Sequence, residues 1–330
     1  MEPLAHRVPT SPAAIPSEVI ADLRLVETRL AEELESREPR LGRIAEHLVG
    51  AGGKRVRPLV VLLIYHATAT DTRRRADVID AAVALELIHS ATLLHDDIID
   101  GCETRRGRPS ALATFGTANT LVAGDFLFSR AFALCARFEA EVIRWAAHAC
   151  IALTEGEIMQ GRFRHNPAVT YDDYLEIIRR KTASLFAAGA RTAAHLGNAP
   201  TKVVESMARC GEEVGIAFQM SDDLLDVNGR PATTGKPRGV DLRDGNPSLP
   251  VVLALREQPE IARLFAQPHL DAAQVDHALA LIQASGVVPR IARLADERVQ
   301  SALAEIQGLA PSAARDALEA LTLGLTERRA

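Results

Sequence analysis

The sequence predicts an all-α protein, a single domain of ten or more helices around a central cavity. Alanine and leucine abound, and aromatic residues make up only 4% of the 330 residues. That composition favours helices over sheets. Apolar residues also recur with the helical period along most of the chain, whereas strand-like alternation is confined to short fragments. Both observations indicate layers of packed helices.

The net charge, the cysteine pattern and the lengths of the apolar runs argue against several classes of function. The net charge of -5 argues against a nucleic-acid-binding protein, which would carry a basic patch. Four cysteines, Cys102, Cys135, Cys150 and Cys210, form no CxxC pair, so neither a structural zinc site nor a disulfide framework is expected. No apolar run reaches the roughly 18 residues that a membrane span needs, and no signal peptide is evident. We therefore expect a cytoplasmic protein without a membrane span.

The chain begins with a proline-rich segment. Residues 1–16 hold four prolines and little periodicity, so they predict a flexible arm. The helical period begins at Ser17, which is suited to be the N-cap of the first helix. The domain is accordingly assigned to residues 17–330.

A glycine turn with three cations follows the first helices. Gly52 and Gly53 precede Lys54, Arg55 and Arg57, and the turn runs into an apolar helix. Paired glycines let a backbone approach a ligand closely, so the turn could grip a phosphate. Taken alone, the motif is better explained as a basic helix connection with solvated cations, because it lacks the spacing of a P-loop.

Three carboxylates end the next helix, which is predicted over residues 77–100. Asp96 and Asp100 are four residues apart and share a helix face, with Asp97 turned about 100° away. Like charges at that spacing repel each other. The simplest counter-charge is a divalent metal ion bound through oxygen ligands.

The same acidic pattern returns at Asp222, Asp223 and Asp226, again at the end of an apolar helical run. One copy alone would be read as a solvated acidic helix end. Two copies instead predict two carboxylate walls that face one cavity. Between such walls Mg²⁺ ions could hold a diphosphate, because Mg²⁺ favours one or two carboxylates together with phosphate oxygens.

Further polar residues lie near these motifs. His89 precedes Asp96 by seven residues and so lies near its face, although a single histidine in an apolar helix is more often a core residue. After a helix break at Gly101, Arg105 and Arg106 lie where cations can meet phosphates that the metal leaves unpaired.

The second half of the chain predicts long helices with a few polar residues inside them. Thr170 opens a helix that runs to Leu196 and contains Lys181, whose ammonium group could simply reach solvent. Earlier helices are predicted over 110–137 and 139–161, and later ones over 201–226, 252–255, 272–284, 288–309 and 313–325. The polar segment 228–250 beside the second acidic motif predicts a lid.

The motifs together resemble one known family. Their order and spacing, from about residue 45 to residue 250, are similar to those of the trans-isoprenyl diphosphate synthases, the polyprenyl synthetase family. The residues that carry the resemblance are Gly52-Gly53-Lys54-Arg55 with Arg57-Pro58, Asp96 to Asp100, Arg105-Arg106-Gly107, Lys181-Thr182, Phe218-Gln219, Asp222 to Asp226 and Gly235-Lys236. The resemblance implies the isoprenoid synthase fold.

The resemblance also implies a role for each matching residue. The six aspartates Asp96, Asp97, Asp100, Asp222, Asp223 and Asp226 correspond to ligands of three Mg²⁺ ions, which hold an allylic diphosphate. Arg105, Lys181 and Lys236 correspond to cations on that diphosphate. Lys54, Arg57, His89 and Arg106 correspond to the pocket for isopentenyl diphosphate. Thr182 and Gln219, with Lys181, correspond to polar groups around the reacting carbon.

The implied reaction is a head-to-tail prenyl transfer to a trans-polyprenyl diphosphate. The allylic C–O bond ionises in a water-excluded cavity, and isopentenyl diphosphate attacks the carbocation. Released diphosphate takes the last proton, so no side-chain nucleophile is needed. Family members are expected to be homodimers.

One residue departs from the family pattern. Many members have Gly-Lys where this chain has Gly245 and Asn246. The missing lysine weakens the allylic diphosphate site, unless Arg243 compensates for it.

The residues before the first acidic motif predict the product length. In the family, positions four and five residues before the motif form the floor of the product tunnel, and here they are Thr92 and Ala91. Both side chains are small, and the next turn deeper begins at Leu87. An open floor predicts a medium- or long-chain product of more than twenty carbons, unless a wall at Phe126 or Phe128 stops the chain earlier.

Several other functions stay open at this point. A farnesyl or geranylgeranyl diphosphate synthase would use the same chemistry. A class I terpene cyclase would not need the pocket at Lys54, Arg57 and His89. A noncatalytic regulatory subunit would be expected to lose aspartates, whereas a catalytic subunit that needs a small partner would keep both motifs.

Overall fold

The computed structural model describes residues 15–50, 52–105, 107–228 and 238–327. The described residues are mostly helical and contain only one short two-stranded sheet, which confirms the all-α prediction. The predicted arm at residues 1–16 lies almost wholly outside the described residues. In chain order, the first seven helices are α1 (Ser17–Glu33), α2 (Pro39–Val49), α3 (Val56–Thr68), α4 (Arg75–Ile99), α5 (Ala111–Phe115), α6 (Thr117–Cys135) and α7 (Ala140–Arg162).

The remaining helices follow without a strand between them in the described residues. They are α8 (Tyr171–Ile178), α9 (Ser184–Leu196), α10 (Thr201–Asn228), α11 (Val240–Asp244), α12 (Leu249–Glu257), α13 (Pro259–Phe265), α14 (Ala272–Ala284), α15 (Val287–Gln307) and α16 (Ala313–Glu327). A π-helical turn, Arg179–Ala183, separates α8 from α9.

The chain divides into two compact units. Unit 1 comprises Met1–His148, Ala188–Ala208 and Ile306–Leu321, and unit 2 comprises Ala149–Ala187, Arg209–Glu305 and Thr322–Ala330. The first acidic motif belongs to unit 1 and the second to unit 2. The single domain over 17–330 and its shared central cavity stay predictions.

Helix α4 is the central helix of unit 1. It packs against α1, α3 and α6, and most of its side chains are buried. By length and hydropathy α4 could cross a membrane, but 72% of its most apolar window is buried inside the protein. Its apolar composition is therefore explained by its place in the core.

Unit 2 has its own core. Side chains from α10, α12, α13 and α14 form a continuous buried cluster that includes Leu224, Val252, Phe265 and Leu279. This cluster supports the end of α10, where the second acidic motif lies. Burial of so many large aliphatic groups is the main stabilising term for that end of the helix.

The structure corrects the sequence predictions at several helix boundaries. The single helix predicted over 110–137 is broken at Gly116, whose φ of 80° and ψ of 164° are not helical. The helix predicted from Thr170 to Leu196 is interrupted by the π-helical turn. Its predicted start is confirmed, because Thr170 caps α8 in a capping box with Asp173. Pro16 rather than Ser17 occupies the N-cap of α1, and helix α13 was not predicted.

A small hairpin follows the first acidic motif. Strand β1 (Thr104–Arg105) pairs antiparallel with β2 (Arg108–Pro109), and Gly107 has a φ of 73° in the turn. Only glycine adopts that backbone conformation without strain. The hairpin holds Arg105 close to the end of α4.

The predicted lid over 228–250 is only partly described. Residues 245–250 are buried, and helix α11 lies within the segment. This part is therefore a packed wall rather than an exposed loop. Gly235 and Lys236 lie outside the described residues.

Candidate active site

The first acidic motif lies at the C-terminal end of α4. Asp97 is fully buried, whereas Asp96 and Asp100 are half-buried. Arg105 donates from Nε to Oδ1 of Asp97 over 2.5 Å. Burial raises the pKa of Asp97, and the nearby charge of Arg105 opposes that rise. The other oxygen, Oδ2, is buried and accepts no hydrogen bond from the described residues, so it is a suitable ligand for a cation.

Helix α6 lies against the same end of α4. A Cβ atom at Gly124 would lie 2.2 Å from Nε2 of His95, so a larger residue there would force the imidazole ring to move. The ring of Phe128 is 5.9 Å from the ring of His95. Since His95 is one turn beyond Ala91, the aromatic wall considered at Phe128 lies toward the acidic end of α4.

The predicted chain-length residues occupy the middle of α4. Ala91 and Leu87 are fully buried, and Thr92 is half-buried. The hydroxyl of Thr92 donates to the carbonyl of His89 over 2.8 Å. The side chains at the predicted floor are therefore small, and the one hydroxyl among them is hydrogen-bonded.

The glycine turn separates its cations by environment. Lys54 is exposed, and Arg57 and His89 are half-buried, all within unit 1. Arg55 is only 6% exposed and forms ion pairs with Glu86 and Glu27. Arg55 therefore anchors the turn, which leaves Lys54 and Arg57 as the candidate substrate cations.

The π-helical turn carries Lys181 and Thr182 in unit 2. A Cβ at Gly156 on α7 would lie 2.6 Å from the backbone N of Lys181, and a Cβ at Gly215 on α10 would lie 2.6 Å from Cα of Ala183. Two neighbouring helices thus approach the widened turn at glycines. Such π-turns occur often at functional sites because they displace side chains from the regular helix surface.

The side chain of Lys181 turns toward α7. Its Nζ donates to Oε1 of Gln160 over 2.8 Å and forms an ion pair with Glu157. Lys181 is also one of the residues that line a pocket. The interpretation that it merely reaches solvent is therefore wrong.

A hydrogen-bonded network joins the π-turn to the second acidic motif. Thr182 donates to Oε1 of Gln219 over 3.0 Å, and Nε2 of Gln219 donates to Oδ1 of Asp223 over 2.8 Å. Tyr174 and the backbone N–H of Leu249 both donate to Oδ2 of Asp223. The carboxylate therefore fixes which end of the Gln219 amide faces Thr182.

The three aspartates of this motif have different environments. Asp222 is exposed, Asp223 is 5% exposed, and Asp226 is half-buried. Asp226 accepts the backbone N–H groups of Val240 and Asp241 at the start of α11. Burial raises the pKa of Asp223 to about 6, although three donors oppose the rise. Asp222 is thus the carboxylate that remains most accessible to a ligand.

A pocket lies beside this network, with an empty volume of about 450 Å³ including the part open to solvent. All of its lining belongs to unit 2. The lining residues are Gln160, Tyr174, Ile177, Ile178, Lys181, Thr182, Gln219, Asp223, Asp241, Asn246, Pro247 and Ser248.

Among the polar lining residues, sequence reasoning assigned no site role to Gln160, Tyr174, Asp241 and Ser248, and it marked Asn246 only as the position where the family lysine is missing. Tyr174 lies in the first turn of α8. The hydroxyl of a buried tyrosine needs a hydrogen-bond partner, and this need is the signal that could have marked Tyr174 as a site residue. Asp241, in a polar segment just after the acidic motif, could have been counted as a further carboxylate. No sequence signal singled out Gln160.

Carboxylates crowd the region around Asp241. Burial, followed by the charges of Asp226, Asp223, Asp222 and Asp244, raises the pKa of Asp241 well above its ordinary value. A divalent cation would relieve this repulsion, and oxygen donors suit Mg²⁺. In the described part of the chain, no group of three His, Cys, Asp or Glu side chains is arranged to hold a metal ion by itself.

Two predicted site residues cannot be placed. Arg106, predicted for the isopentenyl diphosphate pocket, and Lys236, predicted for the allylic diphosphate, lie outside the described residues. Their roles stay predictions.

An all-α chain with two acidic helix segments and a lysine-containing pocket beside one of them is typical of enzymes that act on prenyl diphosphates. The comparisons agree with this class. The polyprenyl synthetase family model matches residues 38–282, so the chain belongs to the polyprenyl synthetase family. The protein is a transferase of prenyl groups with an isoprenoid synthase fold.

Individual relatives are similar along nearly the whole chain. A prenyl transferase of Porphyra purpurea is 37% identical over 91% of this chain and 94% of its own. Heptaprenyl diphosphate synthase component 2 of Geobacillus stearothermophilus is 37% identical over 93% and 96%. The polyprenyl synthase of Caulobacter crescentus, solved with calcium and isoprenyl diphosphate, has a TM-score of 0.89 and 34% identity over 95% and 96%.

Proposed function

We propose that this enzyme condenses isopentenyl diphosphate with an allylic diphosphate, head-to-tail, to give a trans-polyprenyl diphosphate longer than twenty carbons. The observation that carries the proposal is the pocket in unit 2, where Lys181, Thr182, Gln219 and Asp223 meet. A cation, a hydroxyl, an amide and a carboxylate around one pocket suit a leaving diphosphate and a developing carbocation.

The metal in this proposal is Mg²⁺, with about three ions per site. The residues that would hold it are Asp96, Asp97 and Asp100 at the first motif and Asp222 and Asp226 at the second. Asp223 already accepts hydrogen bonds from three donors. The unsatisfied oxygen of Asp97 and the raised pKa of Asp241 support a cation at each motif. When bound, Mg²⁺ supplies positive charge to the departing diphosphate.

The chain's own groups have defined tasks. Lys181 binds diphosphate oxygens, and its contacts with Gln160 and Glu157 keep it at the pocket before substrate arrives. Gln219 presents its carbonyl oxygen on the side of Thr182, because its amide N–H group is held by Asp223. That oxygen can face positive charge on the allylic carbon without reorienting, which is the advantage of a preorganised dipole.

For isopentenyl diphosphate, the proposal assigns Lys54, Arg57 and His89. Lys54 is exposed and the other two are half-buried, so all three are accessible to a ligand. Arg55 takes no part in binding because its charge is used in the ion pairs with Glu86 and Glu27.

The proposed product is a medium- or long-chain one. Small side chains at Ala91 and Thr92 and the similarity to a heptaprenyl diphosphate synthase component support it. The alternative is a stop at fifteen or twenty carbons, with a wall supplied by Phe128 or another side chain. Because that relative is called component 2, dependence on a partner subunit also belongs among the alternatives.

The test is product analysis. Purified protein with Mg²⁺ and labelled isopentenyl diphosphate receives geranyl, farnesyl or geranylgeranyl diphosphate in turn, and dephosphorylated products are separated by length. Products of thirty or more carbons support the proposal. A stop at fifteen or twenty carbons contradicts the long-chain assignment but keeps the chemistry, whereas no elongation with any primer contradicts the proposed function of the chain alone.

Replacing Ala91 with phenylalanine is expected to shorten the product. The ring adds bulk at a fully buried position on α4, where the growing chain would pass. We also expect a destabilisation of about 1–3 kcal/mol from overpacking. Product length is measured by chromatography and stability by thermal unfolding. Ala91→Ser, which adds a single atom, is the control and should keep the product length. An unchanged length in a folded Ala91→Phe variant would place the floor elsewhere.

The proposed assembly is a homodimer formed through α6. Leu121, Val122 and Phe132 of this helix are 47%, 55% and 43% exposed. Leu121 and Phe132 are three turns apart and share a face, which makes an apolar stripe suited to a second copy. Phe132→Lys is expected to shift the protein from dimer to monomer in sedimentation velocity, whereas Arg144→Gln on α7 should not. A monomeric wild type would contradict the proposed dimer.

A further inference from the structure

Asn246 lies in a turn with a fixed backbone. Gly245 has a φ of 68°, and a Cβ there would lie 2.3 Å from the ring of His165. The backbone N–H of His165 donates to the carbonyl of Gly245 over 3.0 Å, and that of Asn246 donates to the carbonyl of Asp241 over 2.8 Å. Asn246 is only 8% exposed and lines the pocket. Its side chain is thus held at the pocket wall.

The residue that orients this side chain is Arg164. Its Nε donates to Oδ1 of Asn246 over 3.1 Å. A guanidinium group has donors and no acceptor, so the atom facing it must be the amide oxygen. The NH₂ group of Asn246 therefore occupies the opposite branch of the amide, turned away from Arg164.

The chemistry of the pocket gives that NH₂ group a use. The cation of Lys181 is shared with Glu157 and Gln160, while Asp223 and Asp241 add two carboxyl groups to the lining. An anion that enters here gains from every neutral donor on the wall. A donor whose amide oxygen already accepts from a charged group is strengthened, because the hydrogen bonds polarise each other.

We propose that Arg164 is a positioning residue that presents the NH₂ group of Asn246 as a hydrogen-bond donor to an oxygen of the allylic diphosphate. This proposal rests on the proposed function for the identity of the ligand. It gives the binding role to a pair of residues, a buried amide and the arginine behind it. Arg243, which the sequence suggested as a substitute cation, is exposed on α11.

The first experiment measures steady-state kinetics of Arg164→Gln. Farnesyl diphosphate is varied at saturating isopentenyl diphosphate, and then the reverse. We expect the KM for the allylic substrate to rise about tenfold, the equivalent of one hydrogen bond. The KM for isopentenyl diphosphate and kcat should change less than about twofold. Arg162→Gln is the matched control, because Arg162 is an exposed arginine at the C-terminal end of α7, two residues before Arg164, and it should change neither KM nor kcat.

The second variant, Asn246→Asp, separates orientation from donation. The carboxylate keeps an acceptor for Arg164 but replaces the NH₂ donor with a negatively charged oxygen. We expect the protein to stay folded, because Arg164 pairs with the new carboxylate, while the allylic KM rises more than it does in Arg164→Gln. Asn246→Lys combined with Arg164→Gln places a donor there that needs no orienting partner, and it is expected to recover most of the allylic affinity.

A binding measurement keeps this proposal distinct from the proposed function. Titration calorimetry follows inorganic diphosphate with Mg²⁺, and no turnover is required. If the wild type binds diphosphate and both Arg164→Gln and Asn246→Asp weaken that binding, the donor assignment is supported even when no primer is elongated.

Three results would overturn the proposal. The first is a diphosphate affinity of Asn246→Asp equal to that of the wild type, or a wild type that does not bind diphosphate. The second is an equal rise of both KM values in Arg164→Gln. The third is an allylic effect in Arg243→Gln that Arg164→Gln lacks.

Discussion

Asp222→Ala is expected to lower kcat by about a hundredfold or more, because an accessible carboxylate that helps to hold the metal and the diphosphate is removed. The fold should be kept, since Asp222 is exposed and substitutions at such positions change the free energy of unfolding by about 0.5 kcal/mol or less. Asp96→Ala should act in the same way at the first motif. Turnover is measured with saturating substrates, and folding by circular dichroism.

Ligand-induced stabilisation gives this prediction a second readout. Mg²⁺ with inorganic diphosphate should raise the thermal midpoint of the wild type, because ligands that bind only the folded state stabilise it. That rise should be much smaller in Asp222→Ala. Asp276→Ala, an exposed aspartate on α14, is the matched control and should behave as the wild type. Near wild-type turnover in Asp222→Ala would contradict the assignment of Asp222 as a residue that holds the metal ion.

The neighbouring Asp223 has a different expected behaviour. Its carboxylate accepts from Tyr174, Gln219 and the backbone of Leu249, so it holds three elements together. Truncation to alanine would leave buried donors without a partner, each at a cost of about 1–3 kcal/mol. Two adjacent aspartates in one motif thus serve the ligand and the architecture respectively, a division that the sequence pattern alone does not indicate.

The features predicted well from the sequence depend on local periodicity. Helix α4 was expected over 77–100 and is observed from Arg75 to Ile99, because its apolar residues recur with the helical period and Gly101 ends it. The same argument predicted α14 with its observed bounds. In both cases the physical cause lies within the segment itself.

The features that the sequence missed depend on contacts between segments. The π-helical turn at Lys181 is paired with close approach at Gly156 and Gly215, which lie 25 and 34 residues away in the chain. Likewise, Asn246 gains its orientation from Arg164, 82 residues earlier. Periodicity within one helix contains no information on such pairs. The acidic motifs could therefore be predicted, whereas the residues that position the pocket around them could not.

The basic turn shows the same limit in another form. By residue type alone, Lys54, Arg55 and Arg57 are three equivalent cations, and the family resemblance assigned a substrate role to Lys54 and Arg57 without a physical reason for leaving Arg55 out. In the structure Arg55 has a left-handed φ of 47° and is buried. Its Nη1 donates to Glu86 over 2.8 Å, its Nε to Glu27 over 2.6 Å and its Nη2 to the carbonyl of Val49 over 3.2 Å. Two partners that lie 28 and 31 residues away in the chain, together with the nearby carbonyl of Val49, decide its role.

Arg55→Met is therefore expected to destabilise the protein by about 3–5 kcal/mol, because the charge of Glu86, which is only 4% exposed, is left buried without its partner. The double variant Arg55→Met with Glu86→Met removes both buried charges and should recover most of the loss, since apolar pairs often replace buried ion pairs without cost. Unfolding is followed by denaturant titration. Arg43→Met, an exposed arginine on α2, is the control.

The same double variant decides between structure and catalysis at this turn. If Arg55 only anchors the backbone, the double variant should keep the KM for isopentenyl diphosphate within about twofold of the wild type, because Lys54 and Arg57 remain. A stable double variant with a KM raised tenfold or more would show that Arg55 contacts the diphosphate itself. The anchoring role would then be wrong, and all three cations of the turn would belong to the substrate pocket.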